Sequence, residues 1–138
     1  MINALYATNI PICDLIVPVP LHKKRLRWRG FNQSELLASH ICKNLISNEI
    51  SLGNNLLTRK RNTKSQMKIG QFKERFENTK NAFFVPNPSL IQGRSILLVD
   101  DVATTGSTIF ECASVLKKAG ASEIFAIVIA RQEINKNK

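Results

Sequence analysis

The chain has 138 residues, 43% of them hydrophobic, with 20 Lys+Arg against 10 Asp+Glu and a formal charge of +10 at pH 7. That length holds one hydrophobic core and excludes a second full domain, and the apolar fraction excludes a disordered chain. No apolar run approaches the roughly 20 residues that span a bilayer, and the N-terminus lacks a basic segment followed by a long apolar stretch. A single cytoplasmic domain over residues 1–138, without membrane insertion, is therefore expected.

In chain order, residues 13–19 form a buried strand through Leu15, Ile16, Val17 and Val19, with Pro18 and Pro20 ending its regular pairing. A helix follows from Asn32 or Gln33 to about residue 47, where Leu37, Ala38, Ile41, Cys42 and Leu45 recur at helical spacing and Ser34 is a candidate N-cap. Residues 56–58 suggest a short strand, 59–70 an exposed basic loop, 71–81 a helix and 82–85 another short strand closed by Pro86 and Pro88. Residues 95–99 are the clearest buried strand and 107–119 the clearest helix, with Ile109, Cys112, Ala113 and Leu116 on one face and Gly120 as its stop. Residues 123–130 make a last strand, and 131–138 a polar tail. Apolar strands alternating with amphipathic helices predict an α/β fold, a mostly parallel sheet of about five strands flanked by helices. Such sheets bind ligands at the carboxyl ends of their strands.

Cys13, Cys42 and Cys112 are odd in number and include no C-x-x-C pair, which removes a disulfide framework and a zinc ribbon. Each sits among apolar neighbours and reads as a small core residue. The charge is localised: residues 23–80 carry 14 Lys+Arg and 4 Asp+Glu, while the rest of the chain has 6 of each. A basic segment on a neutral body suits polyanions, either phosphate-rich small molecules or nucleic acid, unless it is simply a solvated face.

The most informative stretch is Leu97-Leu98-Val99-Asp100-Asp101-Val102-Ala103-Thr104-Thr105-Gly106-Ser107-Thr108: an apolar strand, two acids, a hydroxyl-rich loop with one glycine, then a helix. Loop amides at a helix N-terminus attract phosphate, and glycine lets the backbone approach it. Paired carboxylates accept hydrogen bonds from sugar hydroxyls or help hold a divalent cation. Together these describe a ribose phosphate site. An apolar strand ending in Asp also occurs in ATPases, but the chain has no G-x-x-x-x-G-K-[ST].

This stretch resembles the phosphoribosyl pyrophosphate (PRPP) motif of the type I phosphoribosyltransferases. The resemblance implies that Asp100 and Asp101 are the catalytic-site acids holding the ribose 2- and 3-hydroxyls. It also implies that Ala103, Thr104, Thr105, Gly106, Ser107 and Thr108 wrap the 5-phosphate. Val17-Pro18-Val19-Pro20-Leu21, Arg29-Gly30-Phe31-Asn32-Gln33, Arg61 with Thr63 and Gln66, and Arg75 with Asn78 resemble the ComF family of competence-associated proteins over residues 13–131. The implied fold is type I phosphoribosyltransferase-like. The implied activity is transfer of phosphoribose from PRPP to a nitrogenous acceptor with release of pyrophosphate, or descent from such an enzyme, linked to competence and DNA uptake. Residues 20–31 would form the pyrophosphate loop, rich in charge from Lys23 to Arg29, and residues 59–71 a flexible lid carrying Lys60 and Lys64. Arg29, Arg59 and Arg61 are the expected pyrophosphate ligands. Mg2+ is expected with PRPP, near Asp100 and Asp101, with no metal held by protein side chains alone. The zinc ribbon and upstream helix with which ComF proteins commonly begin are missing from this sequence, so no zinc is expected. Thr104 stands where the 6-oxopurine enzymes carry an acid, which argues against hypoxanthine or guanine salvage.

The basic segment supports an alternative. Trp28 and Phe31 among Lys23, Lys24, Arg25, Arg27 and Arg29 would stack bases and neutralise a nucleic acid backbone, making the protein a single-stranded DNA binding component of the transformation machinery that uses the fold without catalysis. Otherwise the two aromatics pin the loop to the core. A PRPP-sensing regulator is a third reading. His22 is either an acid or base near neutral pH or an ordinary surface residue. The acceptor base and the oligomeric state stay open.

Overall fold

A computed structural model describes residues 11–44, 50–62 and 72–131, residue 72 through its backbone alone. Thr63, Lys64, Gln66, most of the expected lid, the end of the helix expected to reach residue 47, and the tail after residue 131 lie outside the described residues. The elements are β1 (Leu15–Pro18), α1 (Lys23–Arg29), α2 (Gln33–Asn44), β2 (Ser51–Leu52), β3 (Thr58–Arg59), α3 (Phe72–Thr79), β4 (Phe83–Phe84), a 3-10 turn (Pro88–Leu90), β5 (Ser95–Ala103), α4 (Ser107–Lys118) and β6 (Glu123–Arg131).

Four strands make a parallel sheet in the order β2-β1-β5-β6. Both faces of its centre are buried, and successive side chains of β1 and β5 enter different cores. Leu15, Val17, Ile96 and Leu98 join Cys112 and Leu116 of α4 on one side; Ile16, Leu97 and Val99 join Ala38 and Ile41 of α2 on the other. The period of two explains why these strands are apolar throughout. Each fully buried Ile or Leu contributes on the order of 1.5–3 kcal/mol relative to exposure. The α/β class is as expected, with Cys13 and Cys112 buried and Cys42 half-buried against the second core.

Among the described residues the parallel sheet has four strands. The two short strands expected near residues 57 and 83 lie outside it, pairing with each other as an antiparallel ribbon, Thr58 with Phe84 and Arg59 with Phe83. The parallel partner beyond β1 is instead the two-residue β2, too short to show any hydrophobic period. β5 runs four residues past Val99 because β6 continues to pair with it as far as Ala103 and Arg131.

Residues 23–29, expected within a loop, are helical. No residue of α1 is buried, so it has no apolar stripe to announce it. Its ends are closed locally: His22 Nδ1 accepts the Lys24 N–H at 3.2 Å, and Gly30, at φ 82°, donates its N–H to the Leu26 carbonyl at 2.7 Å. Ser34 is not the cap of α2. Asn32 Oδ1 takes that role, accepting the Ser34 N–H at 3.1 Å.

Candidate functional site

Parallel register brings Pro18, the last residue of β1, beside Val99, so the carboxyl end of β1 meets the carboxyl-terminal half of β5. An open cleft of about 240 Å³ lies there. The segment after β1 contributes Val19, Pro20 and Leu21; the α1–α2 corner contributes Arg25, Arg29, Asn32, Gln33 and Ser34; the ribbon contributes Arg59; and the end of β5 with the start of α4 contributes Asp100 through Thr104 and Gly106 through Ile109.

Asp100 is 7% exposed within β5, three residues before the strand ends. Burial, then the neighbouring charge of Asp101, pushes its carboxyl up to about 6, while a hydrogen bond from Ser34 acts in the opposite sense. Its Oδ1 accepts the Ser34 hydroxyl at 3.1 Å and the Asp101 N–H at 2.9 Å.

The turn after β5 reaches α4 through Gly106, at φ 80°, a left-handed conformation that glycine adopts without strain. Thr105 Oγ1 accepts the Ser107 N–H at 3.3 Å and donates to Ser107 Oγ at 3.1 Å. This places the positive end of a 12-residue helix at the cleft. Of the expected phosphate loop, Ala103, Thr104, Gly106, Ser107 and Thr108 line the cleft, whereas the hydroxyl of Thr105 is spent on the turn itself.

Among the described residues, three arginines supply the cleft's positive charge. Arg25 and Arg29 are one turn apart on α1. Arg59 is not on an exposed loop: it is buried in β3 with its guanidinium 5.2 Å from the centre of the Phe83 ring. Burial and then the charge of Arg25 bring its pKa down to about 10, which leaves it cationic at neutral pH. Burial, then Arg29, also lowers that of Arg25. Arg61 does not line the cleft; its guanidinium donates to the Asn78 carbonyl at 2.8 Å.

Lys23, Lys24, Arg27, Trp28 and Phe31 also stay outside the cleft lining, and all five are exposed. Trp28 is 86% and Phe31 48% exposed, so neither aromatic anchors α1 to the core. His22 is a cap rather than a cleft residue. Among the described residues, no group of three or more His, Cys, Asp or Glu side chains is placed to hold a metal ion. Arg25 stands in the sequence only as one cation among many; Asn32 and Gln33 stand there in the run that resembles the ComF family, without a site role of their own, and Ser34 only as a candidate cap. A helical reading of residues 23–29 would have placed Arg25 and Arg29 on one face, but Ser34 and Asp100 are 66 residues apart and meet only through the fold.

Residues 33–138 match the model of the phosphoribosyl transferase domain. The chain is 38% identical over 124 residues to the DNA utilization protein YhgH of Escherichia coli strain K12, covering 90% of this chain and 52% of that protein. It is also 38% identical over 124 residues to Competence protein F of Haemophilus influenzae, covering 89% and 52%. The chain thus spans about half the length of these curated relatives. The structure of a glutamine PRPP amidotransferase from B. subtilis, complexed with ADP and GMP, superposes with a TM-score of 0.55 at 16% identity, covering 91% of this chain and 24% of that one. At that identity the likeness concerns the fold.

Proposed function

Because the chain belongs to the phosphoribosyl transferase domain family, in its competence-associated ComF group, we propose that the cleft binds PRPP and supports, or descends from a site that supported, transfer of phosphoribose to a nitrogenous acceptor. The observation that carries this reading is the convergence in one cleft of an acid pair, Asp100 buried and Asp101 half-buried, a glycine-initiated helix N-terminus and three arginines. Each matches a different part of the ligand. Asp100 and Asp101 accept the ribose 2- and 3-hydroxyls. The amides and hydroxyls around Ala103, Thr104, Gly106, Ser107 and Thr108 receive the 5-phosphate. Arg25, Arg29 and Arg59 receive the pyrophosphate, Arg25 being added to the expected set. Arg61 reaches it only by giving up its bond to the Asn78 carbonyl.

In the transfer, the acceptor nitrogen attacks ribose C1, the bond from C1 to the pyrophosphate oxygen breaks, and pyrophosphate leaves with the bonding electrons. Positive charge grows on the ribose and negative charge on the leaving group. Preoriented arginines stabilise the latter most where water is scarce, as at the buried Arg59. The acid pair alone is too small a donor set for a resident metal, but Asp100 and Asp101 would help hold Mg2+ brought in with the diphosphate. Bound Mg2+ supplies charge neutralisation for the departing pyrophosphate.

Calorimetric titration of Mg2+-PRPP into the protein tests the reading, with Asp100→Asn/Asp101→Asn as control. Binding that the double variant loses is expected. Absence of binding to the folded wild-type protein would overturn it.

The exposure of Trp28 favours a second reading, in which single-stranded nucleic acid binds the outer face of α1 between Lys24 and Arg27. Relatives named for DNA utilization and competence support that context. The two readings use different faces of one helix.

A further inference from the structure

The run Arg29-Gly30-Phe31-Asn32-Gln33 is distinctive in the sequence, yet only Arg29 has a task in the phosphoribosyl site. The structure connects Asn32 of this run, and Ser34 just beyond it, to the acid pair. Asn32 is buried, donating its Nδ2–H to the Val19 carbonyl at 3.0 Å and accepting the Ser34 N–H on Oδ1 at 3.1 Å. Val19 in turn donates its N–H to the Val99 carbonyl at 2.9 Å, one residue before Asp100. Ser34, 3% exposed, donates its hydroxyl to Asp100 Oδ1 at 3.1 Å, the oxygen that also accepts the Asp101 N–H.

We infer that Asn32 and Ser34 are positioning residues for Asp100: through them the start of α2 sets the plane of the Asp100 carboxylate and so decides how tightly the cleft holds a ribose diol. Two donors on Oδ1 fix the side chain and with it the direction in which the carboxylate faces the cleft. A merely structural role accounts poorly for the serine. At the second position of a helix alanine has the better propensity, and a serine there usually bonds to nearby backbone. This hydroxyl instead crosses to another strand and meets an acid that burial disfavours in its charged form. Asn32 makes the contact reproducible by locking the helix start onto β1. The inference rests on the phosphoribosyl reading for its ligand, but not for its geometry.

Ser34→Ala, Ser34→Thr and Asn32→Asp test it, the last keeping a cap acceptor while removing the donor to Val19. Mg2+-PRPP and inorganic pyrophosphate are titrated into each protein between pH 5 and pH 8. For Ser34→Ala, PRPP affinity at pH 7 is expected to fall roughly tenfold, as loss of a hydrogen bond to a charged group implies. Its pH dependence is expected to move to higher pH. Pyrophosphate, which has no diol, is expected to bind within about twofold of wild type, and Ser34→Thr to restore PRPP binding. Asn32→Asp is expected to fall between wild type and Ser34→Ala. Unchanged PRPP affinity and pH profile in Ser34→Ala would overturn the inference. If the wild-type protein binds neither probe, the phosphoribosyl reading fails, and the backbone amide resonance of Asp101 decides the positioning separately. Because this amide donates to the same Oδ1, its pH titration is expected to shift upward in Ser34→Ala. A titration identical to wild type overturns the role of Ser34 with or without a ligand.

Discussion

Arg59 and Phe83 are directly paired across the β3–β4 ribbon, and the guanidinium of the first lies 5.2 Å from the ring centre of the second. The ribbon is therefore more than a connection between layers: it carries a buried cation to the edge of the cleft and supports it on an aromatic face. Arg59→Ala is expected to weaken pyrophosphate binding by about 1.5–3 kcal/mol, roughly ten- to a hundredfold in Kd. Arg59→Lys is expected to recover only part of it, because an ammonium lacks the planar stacking surface. Titration of pyrophosphate into the two variants checks this, and equal affinity in all three proteins would remove Arg59 from the site.

Gly106 stands at φ 80° with the Phe110 ring 3.4 Å from the position a Cβ would take. Gly106→Ala is expected to cost about 1–2 kcal/mol of stability through the left-handed backbone alone. It is also expected to lower the affinity for inorganic phosphate, since the turn orients the amides of α4. Urea denaturation and phosphate titration measure the two effects, and an unchanged unfolding midpoint contradicts the assigned strain.

The acid pair makes stability depend on pH in a direction opposite to that of an ordinary salt-bridged carboxylate. Asp100 titrates at about 6 in the folded protein against an ordinary value of 3.8, because burial and the charge of Asp101 both oppose its ionisation. Between these values the folded state binds more protons than the unfolded state, so this group's contribution to stability is greatest at the acid end and declines as pH rises through 6. Each pH unit that separates the folded from the unfolded titration corresponds to roughly 1.4 kcal/mol. Asp100→Asn removes the ionisation, and denaturation midpoints between pH 4 and pH 7 are expected to lose most of that decline. A wild-type midpoint that rises steadily over the window would refute the assignment.

The outer face of α1 is separable from the cleft. Lys24→Ala/Arg27→Ala is expected to reduce the salt slope of single-stranded DNA binding by about 1.4, from roughly 0.7 per cation, while Mg2+-PRPP affinity stays unchanged. Trp28→Ala is expected to weaken the same binding by about 1–3 kcal/mol if a base stacks there, and to change stability by no more than about 0.5 kcal/mol. Fluorescence titrations of an oligonucleotide at several salt concentrations provide the test. An unaltered slope excludes this face.

Much of the molecule is legible in the residues themselves. Leu15 to Val17 and Ile96 to Val99 are apolar without interruption because both faces of their sheet are covered, and Ile109, Cys112 and Leu116 recur with the helical period because one face of α4 meets that sheet. The acid pair, the hydroxyl-rich turn and Gly106 are contiguous, so the most specific part of the site can be recognised before any folding. Elements without a period are less legible. α1 buries no residue and β2 has two residues, so neither offers a pattern longer than noise; β3 and β4 are legible as short strands, but not their pairing with each other outside the sheet. Serine favours a cap position locally, which is why Ser34 reads as one along the chain; in the fold Asn32 occupies that position and Ser34 serves a distant acid.

Sequence alone determined the layered α/β class and the chemistry at the end of β5, since hydrophobic periodicity and a contiguous motif are properties of neighbours along the chain. Only the tertiary structure decided which cations meet that motif. Arg25 and Arg29 reach the cleft while Lys24 and Arg27 do not, because helical geometry puts positions four apart on one side. Arg59 is buried beside Phe83 while Arg61 turns to the Asn78 carbonyl. Parallel pairing of β1 with β5 brings the start of α2 to Asp100, and with it the serine that holds the carboxylate. Contacts of this kind join residues far apart in the chain, and their physical cause, the closing of two cores around one sheet, exists only once the whole domain has folded.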